Sequence, residues 1–146
     1  MKDIKIYTAG KMSGISYEWQ MGWRRQLENC LRAKTPNVNL SFIHPPLYYN
    51  YEFKSHNTEA ELKEWELNQL RDCDIMVVNL EDIGTSIGSH FELGFANAMN
   101  MFGGKHIFII GIGNDDGLHP WIRESIFRRE PDVHSAVEYI NSYLLV

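Results

Sequence analysis

Three features of the sequence predict an α/β fold in which helices cover both faces of a parallel sheet. Short apolar runs alternate with helix-period segments along the whole chain. The run Ile75-Met76-Val77-Val78 is continuously apolar, as a central parallel strand buried on both faces must be. No internal repeat or low-complexity tract interrupts the pattern. A chain of 146 residues can bury one real core, so a single domain over residues 1–146 is expected.

Each element follows in turn. Ile4 and Ile6, with Tyr7 and Thr8, read as the first strand, which Ala9-Gly10 ends. From Ser16 to about Lys34, Trp19, Trp23, Leu27 and Leu31 recur every four residues, and Pro36 lies beyond the end. That stripe is what a helix packed on a sheet requires, and base stacking is the alternative use of its tryptophans. Val38 to Ile43 forms a second strand, closed by His44-Pro45-Pro46. Tyr48 to Asn57 has four aromatics and no period, so it reads as a loop folding over a pocket. Thr58 to Arg71 is a helix whose Thr58 and Glu61 form the S/T-x-x-E start signal. After the third strand, Ile75 to Val78, come a helix from Ile87 to Met101, a strand from His106 to Ile110, and a loop from Gly111 to Gly117. A short helix from Pro120 to Ser125, a fifth strand from Ile126 to Arg129 and a last helix from Asp132 to Leu145 complete the chain.

Five parallel strands in the flavodoxin-like (Rossmann-like) order 2-1-3-4-5 give a three-layer domain. Its topological switch then lies between strands one and three, and the loops Thr8 to Ser16 and Asn79 to Ser89 meet at the ligand crevice.

The formal charge is −5, and much of the acid lies between Glu52 and Glu92. A nucleic-acid polymer is not expected as a partner, because tracking phosphates requires clustered Lys and Arg. Cys30 and Cys73 lack zinc spacing and fit reduced thiols in a cytoplasm. The N-terminus enters a strand within three residues, leaving no room for a signal peptide, and no apolar run approaches membrane-spanning length. A cytoplasmic protein without a membrane partner is expected. G-x-G-x-x-G and Walker patterns are absent, and His106 and His119 have no metal-ligand company, so neither cofactor nor metal is expected.

The stretch TSIGSHFELGFANAMN, Thr85 to Asn100, carries the chemistry. A Gly-containing loop delivers Glu92 into the start of a helix. Ser89-His90-Phe91-Glu92 is itself a capping box, in which the Glu only reaches back to an orphan N–H. The other reading is a carboxylate held ionised by the helix dipole at the crevice. Such a group can attack an electron-poor sugar carbon and form a covalent glycosyl-enzyme. In the first loop, Gly10, Lys11, Ser13 and backbone N–H groups form either a phosphate support or a plain turn into a helix capped by Ser16.

Three segments carry a resemblance: IYTAG at the first strand, ELNQLRDCDIMVVNL around the third, and SIGSHFELGFANA after it. In these the chain resembles the nucleoside 2-deoxyribosyltransferase family, which includes the 2'-deoxynucleoside 5'-monophosphate N-hydrolases. The resemblance implies cleavage of the N-glycosidic bond of a 2'-deoxynucleoside, with the sugar passed to another base or to water. Its partners would be a deoxynucleoside or deoxynucleotide and a free nucleobase, and a homo-oligomer is implied.

By the same resemblance Glu92 matches the nucleophile that attacks C1', and Tyr7 a hydroxyl that orients it. The alternative for Tyr7 is a buried strand tyrosine satisfied locally. Glu66 falls where the family carries an Asp that contacts the sugar or protonates the departing base, one methylene shorter; its alternative is a solvated helix acid beside Glu59, Glu61 and Glu64. Ser86 stands where transferases of free deoxynucleosides carry an Asp. The monophosphate hydrolases instead resemble this sequence, with Ser86, Gly88, Ser89 and backbone N–H groups around a 5'-phosphate, although Ser86 also reads as a helix-entry serine. Asp74 is read as structural, and Glu81 and Asp82 as loop acids. A non-catalytic nucleotide-binding sensor would keep the loop and need no nucleophile, and a flavin or phosphate binder is a further possibility.

Overall fold

Strand β3 (Ile75–Asn79) lies at the centre of the sheet because all of its side chains but the last are buried. In the computed structural model, which describes residues 1–49 and 56–145, β1 (Lys2–Ala9) and β4 (Phe108–Ile112) flank it, and β2 (Val38–Ile43) and β5 (Arg128–Glu130) form the edges. All four pairings are parallel, and the order is 2-1-3-4-5, as the alternation predicts. Tyr7 pairs with Met76 and Ala9 with Val78, so the ends of β1 and β3 stand side by side at the switch point.

Alternation along the strands divides the core in two. Ile4, Ile6, Ile75, Val77 and Ile110 face helices α1 (Tyr17–Lys34) and α5 (Val133–Tyr139). Tyr7, Ala9, Met76, Val78 and Ile109 face helices α2 (Glu59–Arg71) and α3 (Ile87–Phe102). Helix α4 (Pro120–Glu124) leads to β5, and α5 runs on into a π-helical turn at Ile140–Leu144.

The expected caps are present. Ser16 Oγ accepts from Trp19 N at 3.3 Å, and Thr58 Oγ1 accepts from Glu61 N at 3.1 Å. Asp74 accepts from Lys5 N at 2.9 Å and pairs with Lys105 at 3.3 Å, tying β1 to the entry of β3.

Four expectations are corrected. Strand β4 runs through Gly111 instead of stopping before it. A side chain at Gly111 would meet Leu80 and Ile126 at 3.1–3.3 Å, so this glycine serves close packing and does not end the strand. Strand β5 begins two residues later than predicted, and the last helix keeps α-helical form only to Tyr139. On α1 the buried face is Met21, Arg24, Leu27 and Leu31, while Trp19 is 69% exposed. Most of the predicted loop between Tyr48 and Asn57 (residues 50–55) lies outside the described residues; before it, Pro45–Tyr48 form a 3₁₀ turn.

Candidate active site

A cleft of about 810 Å³ opens at the C-terminal ends of β1 and β3 on the α2/α3 side of the sheet, where an open parallel sheet places its ligand. One wall is the loop after β1, with Gly10, Met12 and Ser13. Thr85, Ser86, Gly88 and Ser89 form the entry to α3, and Pro45, Pro46 and Tyr49 close a third side. Glu66 and Glu92 line the interior.

Helix α3 begins at Ile87, with Ser86 as its cap: Ser86 Oγ accepts from Ser89 N at 3.4 Å and donates to Ser89 Oγ at 2.8 Å. Glu92 therefore stands in the second turn, and the Ser89–Glu92 capping box does not form. Its residue is half-buried, with Oε2 sealed from solvent and without a hydrogen-bond partner. Burial raises its pKa to about 7, against Tyr7 and Arg24, which both lower it.

Tyr7 lies in the floor, wholly buried on the same sheet face as Ala9. Its hydroxyl, also without a partner, approaches Glu92 without closing a hydrogen bond of ordinary geometry, so the locally satisfied strand tyrosine is not what forms. Burial, and after it the charge of Glu92, push its pKa upward, and it remains an O–H donor at any ordinary pH. Glu66 comes in from α2 on the face of Leu62 and Leu70 and is 9% exposed, not solvated. Its Oε1 has no partner, and burial, with the charges of Glu92 and Glu59, pushes its pKa up to about 8. Burial thus raises both carboxyls of one cleft toward neutral pH, Glu66 further than Glu92, which brings two groups able to hold or release a proton there to the same cavity.

The remaining predicted residues divide. Ser86, Gly88 and Ser89 line the cleft at the N-terminus of α3, where first-turn N–H groups lack intrahelical acceptors. Ser86 Oγ takes that of Ser89, leaving those of Ile87 and Gly88 beside the cavity. Gly10 lines the cleft as well, and a side chain there would meet Trp23 at 3.2 Å and the Asn79 Cβ at 3.3 Å. Lys11 does not line the cleft itself: its Nζ donates to Thr85 Oγ1 at 2.6 Å, joining the two loops of the switch point, and it lines a neighbouring groove with Trp19, Trp23, Glu81 and Asp82.

Arg24 and Gln20 were not anticipated. Arg24 is wholly buried in the apolar face of α1; its Nε donates to Thr8 Oγ1 at 3.1 Å and its Nη1 to the Gln20 carbonyl. The Gln20 side chain donates to the carbonyls of Met12 and Ile15, both at 2.8 Å, and holds the first loop in shape. The available signal was the spacing Met21–Arg24–Leu27–Leu31, a charge inside an otherwise apolar helix face. Among the described residues no group of three or more His, Cys, Asp or Glu is arranged to hold a metal ion, and no helix is long and apolar enough to cross a membrane.

Fold and site together define a flavodoxin-like domain with a two-carboxylate cleft at the switch point of its sheet. Among solved structures, the chain is similar over nearly its whole length to a conserved protein from Enterococcus faecalis, with a TM-score of 0.70, 16% identity, and coverage of 94% of this chain and 96% of that one. It is similar also to a 2-deoxyribosyltransferase from Bacillus psychrosaccharolyticus (TM-score 0.61, 18% identity, 92% and 91% covered) and to a CMP N-glycosidase from Clostridium botulinum (TM-score 0.59, 14% identity, 95% and 99% covered). At these identities the shared property is the fold. No protein-family model and no curated protein matches the sequence.

Proposed function

We propose that the protein cleaves the N-glycosidic bond of a 2'-deoxynucleoside through a covalent deoxyribosyl–Glu92 intermediate and passes the sugar to another base. The observation that carries this reading is the pair of carboxyls that line one cleft of about 810 Å³, Glu66 buried and Glu92 with its Oε2 sealed, neither of these carboxyls fully partnered. The similarity in fold to a 2-deoxyribosyltransferase and a CMP N-glycosidase supports it.

In the first step the ionised Glu92 bonds to C1', the C1'–N bond breaks, and its electron pair leaves on the base nitrogen, which takes the proton of Glu66. In the second, an incoming base attacks C1', gives its N–H proton to Glu66, and releases Glu92 as a carboxylate. Tyr7 directs its O–H toward the Glu92 carboxylate and fixes which oxygen attacks. The cell interior is the proposed setting, and a homo-oligomer the proposed assembly.

A second reading, hydrolysis of a 2'-deoxynucleoside 5'-monophosphate, is favoured by one feature: the N-terminus of α3 opens on the cleft with Ser86 as its cap and the Ile87 and Gly88 N–H groups beside the cavity. An anion there meets the positive end of a 16-residue helix. Glu92, a turn and a half further on, would face the other end of the ligand, so the two negative groups need not meet.

Both readings are tested by incubating the protein with deoxynucleosides and their monophosphates, with and without an acceptor base, and separating the products. Base exchange marks a transferase, and base release without an acceptor marks a hydrolase. Binding without turnover, unchanged in Glu92→Ala, marks a sensor module.

A further inference from the structure

Arg24 is a full positive charge at 0% exposure on a helix face otherwise made of Met21, Leu27 and Leu31. A lone buried charge is strongly unfavourable unless something compensates it. The hydrogen bonds from Nε to Thr8 and from Nη1 to Gln20 satisfy the guanidinium only in part, because Nη2 has no partner. No carboxylate forms a contact ion pair with it among the described residues.

The reason for its position lies across β1. Thr8, on the α1 side, orients Arg24, whereas Tyr7 and Ala9 face the cleft side. Gly10 ends the strand without a side chain, and Arg24 Nη2 lies 3.6 Å from where a Cβ there would stand. The guanidinium thus reaches the bare end of β1, on whose far side Glu92 Oε2 is sealed and also unpartnered. Glu92 is the charge that chiefly holds Arg24 protonated against burial, which lowers its pKa to about 10.

Arg24 is itself held by a directed chain. His44, 4% exposed, meets Glu28 Oε1 through Nε2 at 2.7 Å and Thr8 Oγ1 through Nδ1 at 2.8 Å. The Glu28 carboxylate favours the Nε2–H tautomer, so Nδ1 accepts from the Thr8 hydroxyl in preference to the Ile43 carbonyl at 3.2 Å, and the Thr8 oxygen in turn accepts from Arg24 Nε. Every member from Glu28 to Thr8 has a partner on each side, a costly buried network to assemble for packing alone.

We propose that Arg24 is a positioning residue for Glu92: it touches no substrate, and, fixed by the Glu28–His44–Thr8 chain, it sets its positive charge against the end of β1 opposite the Glu92 carboxyl. As a statement about catalysis this rests on the function proposed above; as a statement about Glu92 it needs no substrate. The groups facing Glu92 are Tyr7 from β1, Arg24 from α1, Glu66 from α2 and Tyr49 from the segment after β2, with Glu59 acting on Glu66. Arg24 is the cation among them.

The test is a carbon-13 NMR titration of the glutamate carboxyls in the ligand-free protein, with Glu92→Gln assigning the resonance. In Arg24→Gln the Glu92 midpoint is expected to rise by about one pH unit or more, and in Arg24→Lys to return most of the way. If Arg24→Gln does not fold, Thr8→Val, which removes the acceptor for Nε, decides by the same readout: a raised midpoint supports the proposal. An unchanged Glu92 midpoint in the folded variant overturns it. Where base release is measurable, the acid limb of its pH profile should move with the NMR midpoint. A wild-type protein that releases no base refutes the proposed function and leaves the titration to be read alone.

Discussion

The hydroxyl of Tyr7 approaches the carboxyl of Glu92 across the floor of the cleft, with Tyr7 Oη and Glu92 Oε2 both sealed from solvent and neither holding a hydrogen-bond partner. A buried donor and a buried acceptor left without other partners interact chiefly with each other. Tyr7→Phe is therefore expected to lower kcat about 10- to 100-fold and raise the Glu92 pKa, since the hydroxyl now lowers it. Stability should change by less than about 1 kcal/mol, because no formed hydrogen bond is lost. Steady-state kinetics with urea denaturation separates the two effects.

Activity should have a narrow pH optimum. The reaction needs Glu92 ionised and Glu66 protonated, so rates should fall below about pH 7 as Glu92 takes a proton and above about pH 8 as Glu66 loses one. The pair titrates together, so the two limbs report the site as a unit. Glu66→Gln should remove the alkaline limb in a pH–kcat/KM profile while leaving the acid limb.

Stability should carry the same signature. Both carboxyls have folded pKa values raised above the ordinary 4.5, so the folded state binds more protons than the unfolded one between these values. Their contribution is fully present below about pH 4.5 and is lost as the pH rises toward 7 for Glu92 and 8 for Glu66. Glu66→Gln should flatten this decline, and urea unfolding at a series of pH values measures it.

Gly10→Ala should destabilise the protein by roughly 1–3 kcal/mol, because the new methyl meets Trp23 and the Asn79 side chain at 3.2–3.3 Å and both must shift to admit it. Tryptophan fluorescence should shift along with the unfolding midpoint.

Ser86→Ala removes the cap of α3 and should cost about 1 kcal/mol. If the second reading of the function holds, the same change should raise KM for a monophosphate more than for the free deoxynucleoside.

The fold was legible because its signals are redundant: the apolar run of β3, the capping pairs Ser16–Trp19 and Thr58–Glu61, and the alternation of periods all point to one sheet. The cleft was legible at Glu92 because the strand order puts the loop after β3 and the first turns of α3 at the switch point. Arg24 was hidden because Trp19 and Trp23 fit the same four-residue period as Leu27 and Leu31, and periodicity cannot choose between two overlapping stripes when one contains a charge. The burial of Glu66 was hidden among its acidic neighbours, although Leu62, Glu66 and Leu70 share one face at intervals of four. Gly111 misled because glycine ends strands and also allows close packing within them, and only the contacts of Leu80 and Ile126 tell which.

The central claim is that Glu92 bonds covalently to the sugar. The measurement that tests it most directly is intact-protein and peptide mass spectrometry after rapid acid quench of the protein with whichever deoxynucleoside or monophosphate it turns over. The account predicts a deoxyribosyl or deoxyribosyl-phosphate adduct on the peptide carrying Glu92, with neither adduct nor base release in Glu92→Gln. Base release that persists in Glu92→Gln, or an adduct on another residue, would contradict it.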